Sequence, residues 1–344
     1  MLIAAIAAAA LGHLGAVAVR ALAARGRMLD RPGANRMHAA PIPRGGGAGF
    51  AAALLFLGIV PNLAIAQVDR WQLSAGLLAF AVVIVAVVGW LDDHRGLLAW
   101  PRFAVHMLAG VCVAMASSAA EPSTSASAII VGLLIVVVTA ASINLHNFFD
   151  GADGLLATQA LFVLTVLAFL ALRGSHMPLA LMSVATAGAI AGFLPHNLFA
   201  HRSRVFMGDV GSGTLGLAIA AIASLSIRDD LLSLPSVLLL VSGCVIDTGM
   251  TLASRVLRGR RFWRRHREHL YQWLIRKGWS HLKVTTTWFV WNLAVVLPAF
   301  LYTLRKPEVG WILAAIVYAF GMSIWTFSKR RLRLISRTRG KVAR

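Results

Sequence analysis

Eleven apolar stretches, each close to the length that a helix needs to cross a bilayer, recur through the 344 residues at roughly 2–22, 46–66, 73–91, 104–120, 127–143, 157–173, 178–196, 212–227, 234–254, 284–304 and 309–328. A spanning helix takes about 20 mostly apolar residues. Inside hydrocarbon every backbone N–H and C=O must find its partner within the chain, so such stretches become helices. With 58% hydrophobic and 13% charged residues, the composition lies outside the range of soluble domains. The chain therefore reads as an all-α polytopic integral membrane protein of one domain, 1–344, with a basic tail at 329–344. The first stretch starts at Met1 without a basic leader or a small-residue cleavage site and reads as a retained helix. Cys112 and Cys244 both fall in apolar stretches, so neither a disulfide framework nor a zinc set is indicated.

Charge orients the spans. Segments 20–45, 92–103, 144–156, 197–211, 255–283 and 329–344 carry 28 of the 33 Lys and Arg; only Arg70, Arg173, Arg228, Arg305 and Lys306 lie on the other side. The positive-inside rule then places the first set in the cytoplasm, the N-terminus outside and the C-terminus inside. The net charge of +20 is mainly this topology signal together with attraction to anionic headgroups. Basic residues spread over loops around apolar spans do not indicate nucleic-acid binding.

Acids gather on the same basic face. GWLDDHRG sets Asp92 and Asp93 at one span end, NLHNFFDGADGL holds Asn144, Asn147, Asp150 and Asp153, and VFMGDVGSGTLG sets Phe206 and Asp209 among glycines. Taken singly, each is also what a solvated helix cap looks like. Together they suit a divalent cation such as Mg²⁺, which takes one or two protein carboxylates and completes its shell with phosphates and water. Glycines at a helix start free backbone N–H groups for phosphate oxygens. Two basic elements join them: His38 and Arg44 in HAAPIPRGGG, and His266 and His269 in RRHREHLYQ, which share a face if that stretch is helical. Snorkelling against lipid headgroups is the plainer reading of both.

These motifs, in this order, resemble the cytoplasmic motifs of the polyprenyl-phosphate N-acetylhexosaminyl-1-phosphate transferases, notably the branch that starts O-antigen or related surface glycans. The resemblance implies a multi-pass enzyme of the bacterial inner membrane. Its lipid substrate, undecaprenyl phosphate, would attack the β-phosphorus of a UDP-N-acetylhexosamine with Mg²⁺, or Mn²⁺ in its place, and release UMP. It admits a homodimer. By the family's pattern Asp209 ligates Mg²⁺, with Asp92 and Asp93 beside the metal and the lipid phosphate, and Asp92 a second ligand. Asn144, Asn147, Asp150 and Asp153 position the UDP-sugar, Asp153 through uracil. Phe206 stacks on the base, and His38, Arg44, His266 and His269 hold phosphates.

Two departures stand out. Ile42 replaces a threonine between prolines, and the stretch Asn197 to Asp209 is longer than the family's and lacks its prolines, which weakens a substrate role for Asn197. A secondary transporter is the alternative class, since broken helices and intramembrane charge are its signature. Only Asp247 lies mid-stretch, however.

Overall fold

A computed structural model of the chain describes residues 1–23, 28–30, 40–65, 69–119, 125–198, 203–261 and 266–342. Its helices are α1 (Leu2–Ala23), α2 (Ala48–Ala53), α3 (Val60–Ile65), α4 (Asp69–Arg95), α5 (Ala99–Ser118), α6 (Ala126–Phe149) and α7 (Leu155–Arg173), followed by α8 (Met177–Asn197), α9 (Gly208–Arg228), α10 (Leu234–Val256), α11 (Leu270–Arg276), α12 (His281–Trp291), α13 (Leu297–Arg305) and α14 (Gly310–Val342). Strands β1 (Leu29–Asp30) and β2 (Ile42–Pro43) form a two-residue antiparallel pair. Among the described residues ten helices are long and apolar enough to cross a membrane; the second expected span is the shorter apolar helix Ala48–Leu63. The protein is thus an all-α polytopic membrane protein.

Prolines explain the two π-helical turns. Leu54–Ile59 joins α2 to α3, and Asn292–Val296 joins α12 to α13. Pro61 and Pro298 have no N–H to return to the carbonyl four residues back, and the bonding widens just ahead of each while the helix continues.

Four helices run further than hydropathy suggests. The polar residues that end an apolar stretch do not end the backbone, so Asp92 and Asp93 lie in the last turn of α4 and Asn144 and Asn147 within α6. Asp209 occupies the first turn of α9, where its charge also suits the positive end of the helix. The tail after Lys329 continues α14 through Val342.

The chain forms two compact units. The first contains Met1–Arg31, Ala40–Asn147 and Ala160–Leu232. In it α1 packs on α8, and α4 on α5 and α9. Its α9 span is 89% buried, against 22% for α6, so a side chain at the start of α9 is approached from several elements at once. The second unit is built on Phe148–Gln159 and Ser233–Arg344. There α10 packs on α13 and α14, and Ile246, Leu270 and Trp325 form a core with Trp288, Trp291 and Tyr318 against it. The NLHNFFDGADGL motif contributes to both units: Asn144 and Asn147 to the first, Asp150 and Asp153 to the second.

Candidate active site

In the first unit two arginines tie three carboxylates together. Arg44 donates from Nε to Asp93 Oδ1 at 2.7 Å and from Nη2 to Asp209 Oδ1 at 2.5 Å. Arg102 Nη1 reaches Asp209 Oδ2 at 3.1 Å and also donates to Asp92 Oδ2. Asn147 Nδ2 donates to Asp209 Oδ1 at 2.9 Å and to Ser212 Oγ at 3.0 Å. Burial works against the Arg44 charge, but Asp209 and Asp93 outweigh it, and the guanidinium is held above its ordinary pKa.

Asp93 is turned toward α9. Its Oδ1 accepts the Asp209 N–H at 2.9 Å and its Oδ2 the Val210 N–H at 3.2 Å, so it caps the first turn of α9 from 116 residues before Asp209 in the chain. Gly208 permits this: its φ is +74°, and a Cβ there would overlap Asp93 Oδ2 and lie 2.8 Å from the Gly45 nitrogen. Phe206 is hydrogen-bonded into the Arg44 strand, donating its N–H to Pro43 O at 2.8 Å and accepting from Gly46 N at 2.9 Å. That backbone pairing fixes Arg44 beside the start of α9.

In the second unit, Asp153 N–H donates to His281 Nδ1 at 3.0 Å, and Thr285 Oγ1 donates to the Asp153 carbonyl at 2.8 Å. His266 and His269 do not share a helical face. They lie before α11, with ring centroids 4.9 Å apart, because α11 starts only at Leu270, where Asp247 accepts the first backbone N–H groups. Burial, then Arg255, pulls His266 down to about 4, and burial, then His266, holds His269 well below its usual value. Both are neutral near pH 7 and offer N–H donors, not cations. His266 Nε2 is buried without a partner among the described residues, while Nδ1 faces the Glu268 N–H at 3.4 Å.

Comparison with known proteins gives the family. The profile of glycosyl transferase family 4 matches residues 75–227. The decaprenyl-phosphate N-acetylglucosaminephosphotransferase of Mycobacterium tuberculosis is 32% identical over 309 residues, covering 79% of this chain and 75% of the relative. The chain belongs to glycosyl transferase family 4. The corresponding enzyme of Mycolicibacterium smegmatis is 31% identical over the same shares. The phospho-N-acetylmuramoyl-pentapeptide-transferase of Clostridium botulinum is 28% identical over 65% of this chain and 73% of the relative. This family of membrane phosphosugar transferases makes the protein an enzyme.

Of the residues that the motifs singled out, Arg44, Asp92, Asp93, Asn147 and Asp209 come together in this family 4 member. Asn144 stands one helical turn from Ala140, whose carbonyl it bonds at 2.7 Å, and donates to His106 Nδ1 at 3.0 Å. Asn197 is occupied by Ser203 and Val205, each at 3.0 Å, and anchors its own loop. His38 lies outside the described residues. Sequence reasoning missed Arg102, His106, Ser212, Tyr271 and His281. For Arg102 a signal existed: it is the second Lys or Arg of the 92–103 stretch, which begins with Asp92. Asp247, the mid-span acid that a transporter would need, is spent on α11 and Trp325.

Mg²⁺ can be tested against this donor set. Among the described residues no three His, Cys, Asp or Glu side chains form a metal-holding group by themselves, so an all-protein cage is excluded for them. Mg²⁺ does not ask for one. One atom, Arg102 Nη1, is bonded to both Asp92 Oδ2 and Asp209 Oδ2. Two hard carboxylate oxygens therefore converge on a single cationic point, as a Mg²⁺ completed by substrate phosphates requires.

Proposed function

We propose that the enzyme transfers an N-acetylhexosamine-1-phosphate from a UDP-sugar to undecaprenyl phosphate, giving undecaprenyl-diphospho-sugar and UMP, as the first membrane step of a cell-envelope glycan such as O-antigen. The observation that carries this reading is the Arg44–Asp209–Arg102–Asp92 cluster at the start of α9, where cations and carboxylates are poised for exchange with phosphates. The relatives' names support N-acetylglucosamine as the first sugar to try. The charge split supports a cytoplasmic site, with the N-terminus outside and the C-terminus inside, where UDP-sugars are made.

In the reaction an oxygen of the lipid phosphate attacks the β-phosphorus of the UDP-sugar. The bond from that phosphorus to the oxygen bridging the two phosphates breaks, and UMP departs with that oxygen. A phosphate monoester, whose second pKa is about 6 in phosphorylated side chains, is already largely dianionic, so Asp92 is not required as a base. Such transfers rest on alignment and on neutralising spread negative charge. Arg44 and Arg102 exchange carboxylate partners for phosphate oxygens. Asp209 and Asp92 would hold a Mg²⁺ ion, whose chemistry there would be to offset negative charge on the phosphates. Asn147 keeps Asp209 oriented. Asp150 and Asp153 take the uridine, and His266 and His269 donate N–H groups to phosphates.

The test is UMP release from a panel of UDP-N-acetylhexosamines with undecaprenyl phosphate in detergent, with and without Mg²⁺. Release that requires both the lipid and one UDP-sugar is expected. No release from any member of the panel would refute the reading.

A further inference from the structure

Asp247 is 2% exposed in the middle of the α10 span, and the reaction above leaves it without a task. A carboxylate does not stay in such a place unless its oxygens are met. Here Oδ1 accepts the Leu270 N–H at 2.7 Å and the Trp325 Nε1–H at 3.0 Å, and Oδ2 accepts the Tyr271 N–H at 3.2 Å. Its backbone partners are the first two residues of α11, directly after His269. Glu268 is fixed from the same two helices: Arg255 of α10 donates to its carboxylate and Lys329 of α14 to its carbonyl.

Tyr271 carries this restraint onward. Its hydroxyl donates to the Phe148 carbonyl at 2.9 Å, and a Cβ at Gly151 would overlap that hydroxyl, so the phenol lies on the turn that carries Asp150 and Asp153. Phe148 in turn stacks on His269, with centroids 6.2 Å apart at 27°. Burial raises the phenol well above its usual pKa, with Asp247 and Asp150 adding to it, so it stays a neutral donor to the carbonyl. The Asp153 end of the turn is held by His281 and Thr285.

We propose that Asp247 is a positioning residue for substrate binding: from within the membrane span it sets the His266–His269 loop in register with the Asp150–Asp153 turn, through Tyr271. The proposal rests on the reading that those residues bind the UDP-sugar. A bare capping role would stabilise α11 and leave substrate affinity alone. Asp247→Asn retains one carbonyl oxygen for three donors and turns an NH2 group on the others, and losing charge-assisted hydrogen bonds of this kind is worth about tenfold or more in binding.

The experiment uses the full-length enzyme in detergent, with UDP-N-acetylglucosamine and undecaprenyl phosphate, measuring KM and kcat below the unfolding temperature. Asp247→Asn should raise the KM for UDP-N-acetylglucosamine about tenfold or more. Tyr271→Phe should raise it by less, and the double variant should be no worse than Asp247→Asn within about a factor of two, since both cut one connection. Should Asp247→Asn fail to fold, Trp325→Phe replaces it in the cycle, removing one of the three donors. Wild-type KM in the folded variants, or single effects that simply multiply, would overturn the proposal. Failure of the underlying reading looks different: His269→Ala and Asp153→Asn would both be kinetically silent, whatever the cycle gives.

Discussion

Asp93→Asn separates holding the active site together from doing chemistry in it. The Asp93 side chain is 1% exposed and accepts from Arg44 Nε, from Asp209 N–H and from Val210 N–H. The amide keeps size and one oxygen, but its NH2 group must face a donor, either Val210 N–H or the Asp209 N–H and Arg44 Nε. Weakening the cap of α9 costs about 1 kcal/mol. Losing the charge-assisted bond to a guanidinium costs about 1.5–3 kcal/mol. Because the same contacts fix Asp209, a loss near 3 kcal/mol at the site corresponds to about a hundredfold in rate. The Mg²⁺ concentration for half-maximal rate should move little, since Asp209 and Asp92 keep their charges. The assay is UMP release against Mg²⁺ in detergent, with thermal unfolding in parallel. A rate within about threefold of wild type would refute the inference that Asp93 sets the start of α9.

Asp209→Asn should behave differently: it removes the partner that Arg44 and Arg102 share, and both the rate and the Mg²⁺ response should change, with orders of magnitude lost in UMP release; an unchanged Mg²⁺ curve would shift the metal to Asp92. A reporter fused after Arg344 should read cytoplasm and one inserted near Glu121 the outside; the reverse result would place the site away from the compartment that supplies UDP-sugars. His266, held at about 4 against an ordinary 6.5, binds its proton more readily when unfolded. Its neutral form therefore adds stability that is intact above about pH 6.5 and lost progressively as pH falls toward 4. Thermal unfolding from pH 7 to 4.5 should accordingly destabilise wild type more than His266→Gln; equal losses would contradict the burial of this imidazole.

Asp247 marks where legibility stopped. The sequence displays it as an acid inside an apolar stretch, and nothing local says that its partners are Leu270, Tyr271 and Trp325, the last 78 residues away. Arg102 is similar: basic residues are numerous on that face, and only the packing of α4, α5 and α9 makes this one bridge Asp92 and Asp209. The His266–His269 pair depended on where a helix starts, which a distant carboxylate decides.

The sequence by itself determined that the protein is a multi-helix membrane protein and named Arg44, Asp92, Asp93, Asn147 and Asp209, with seven other residues, as belonging to one site. Both followed from local physics: in lipid the backbone must satisfy itself within each span, so apolar length alone specifies a helix, and these charged and amide residues lie in short contiguous motifs. Tertiary structure alone decided what each carboxylate does. A buried charge is settled by whichever donors packing brings within reach. The start of α9 claimed both oxygens of Asp93, two guanidiniums claimed Asp209, and α11 claimed Asp247.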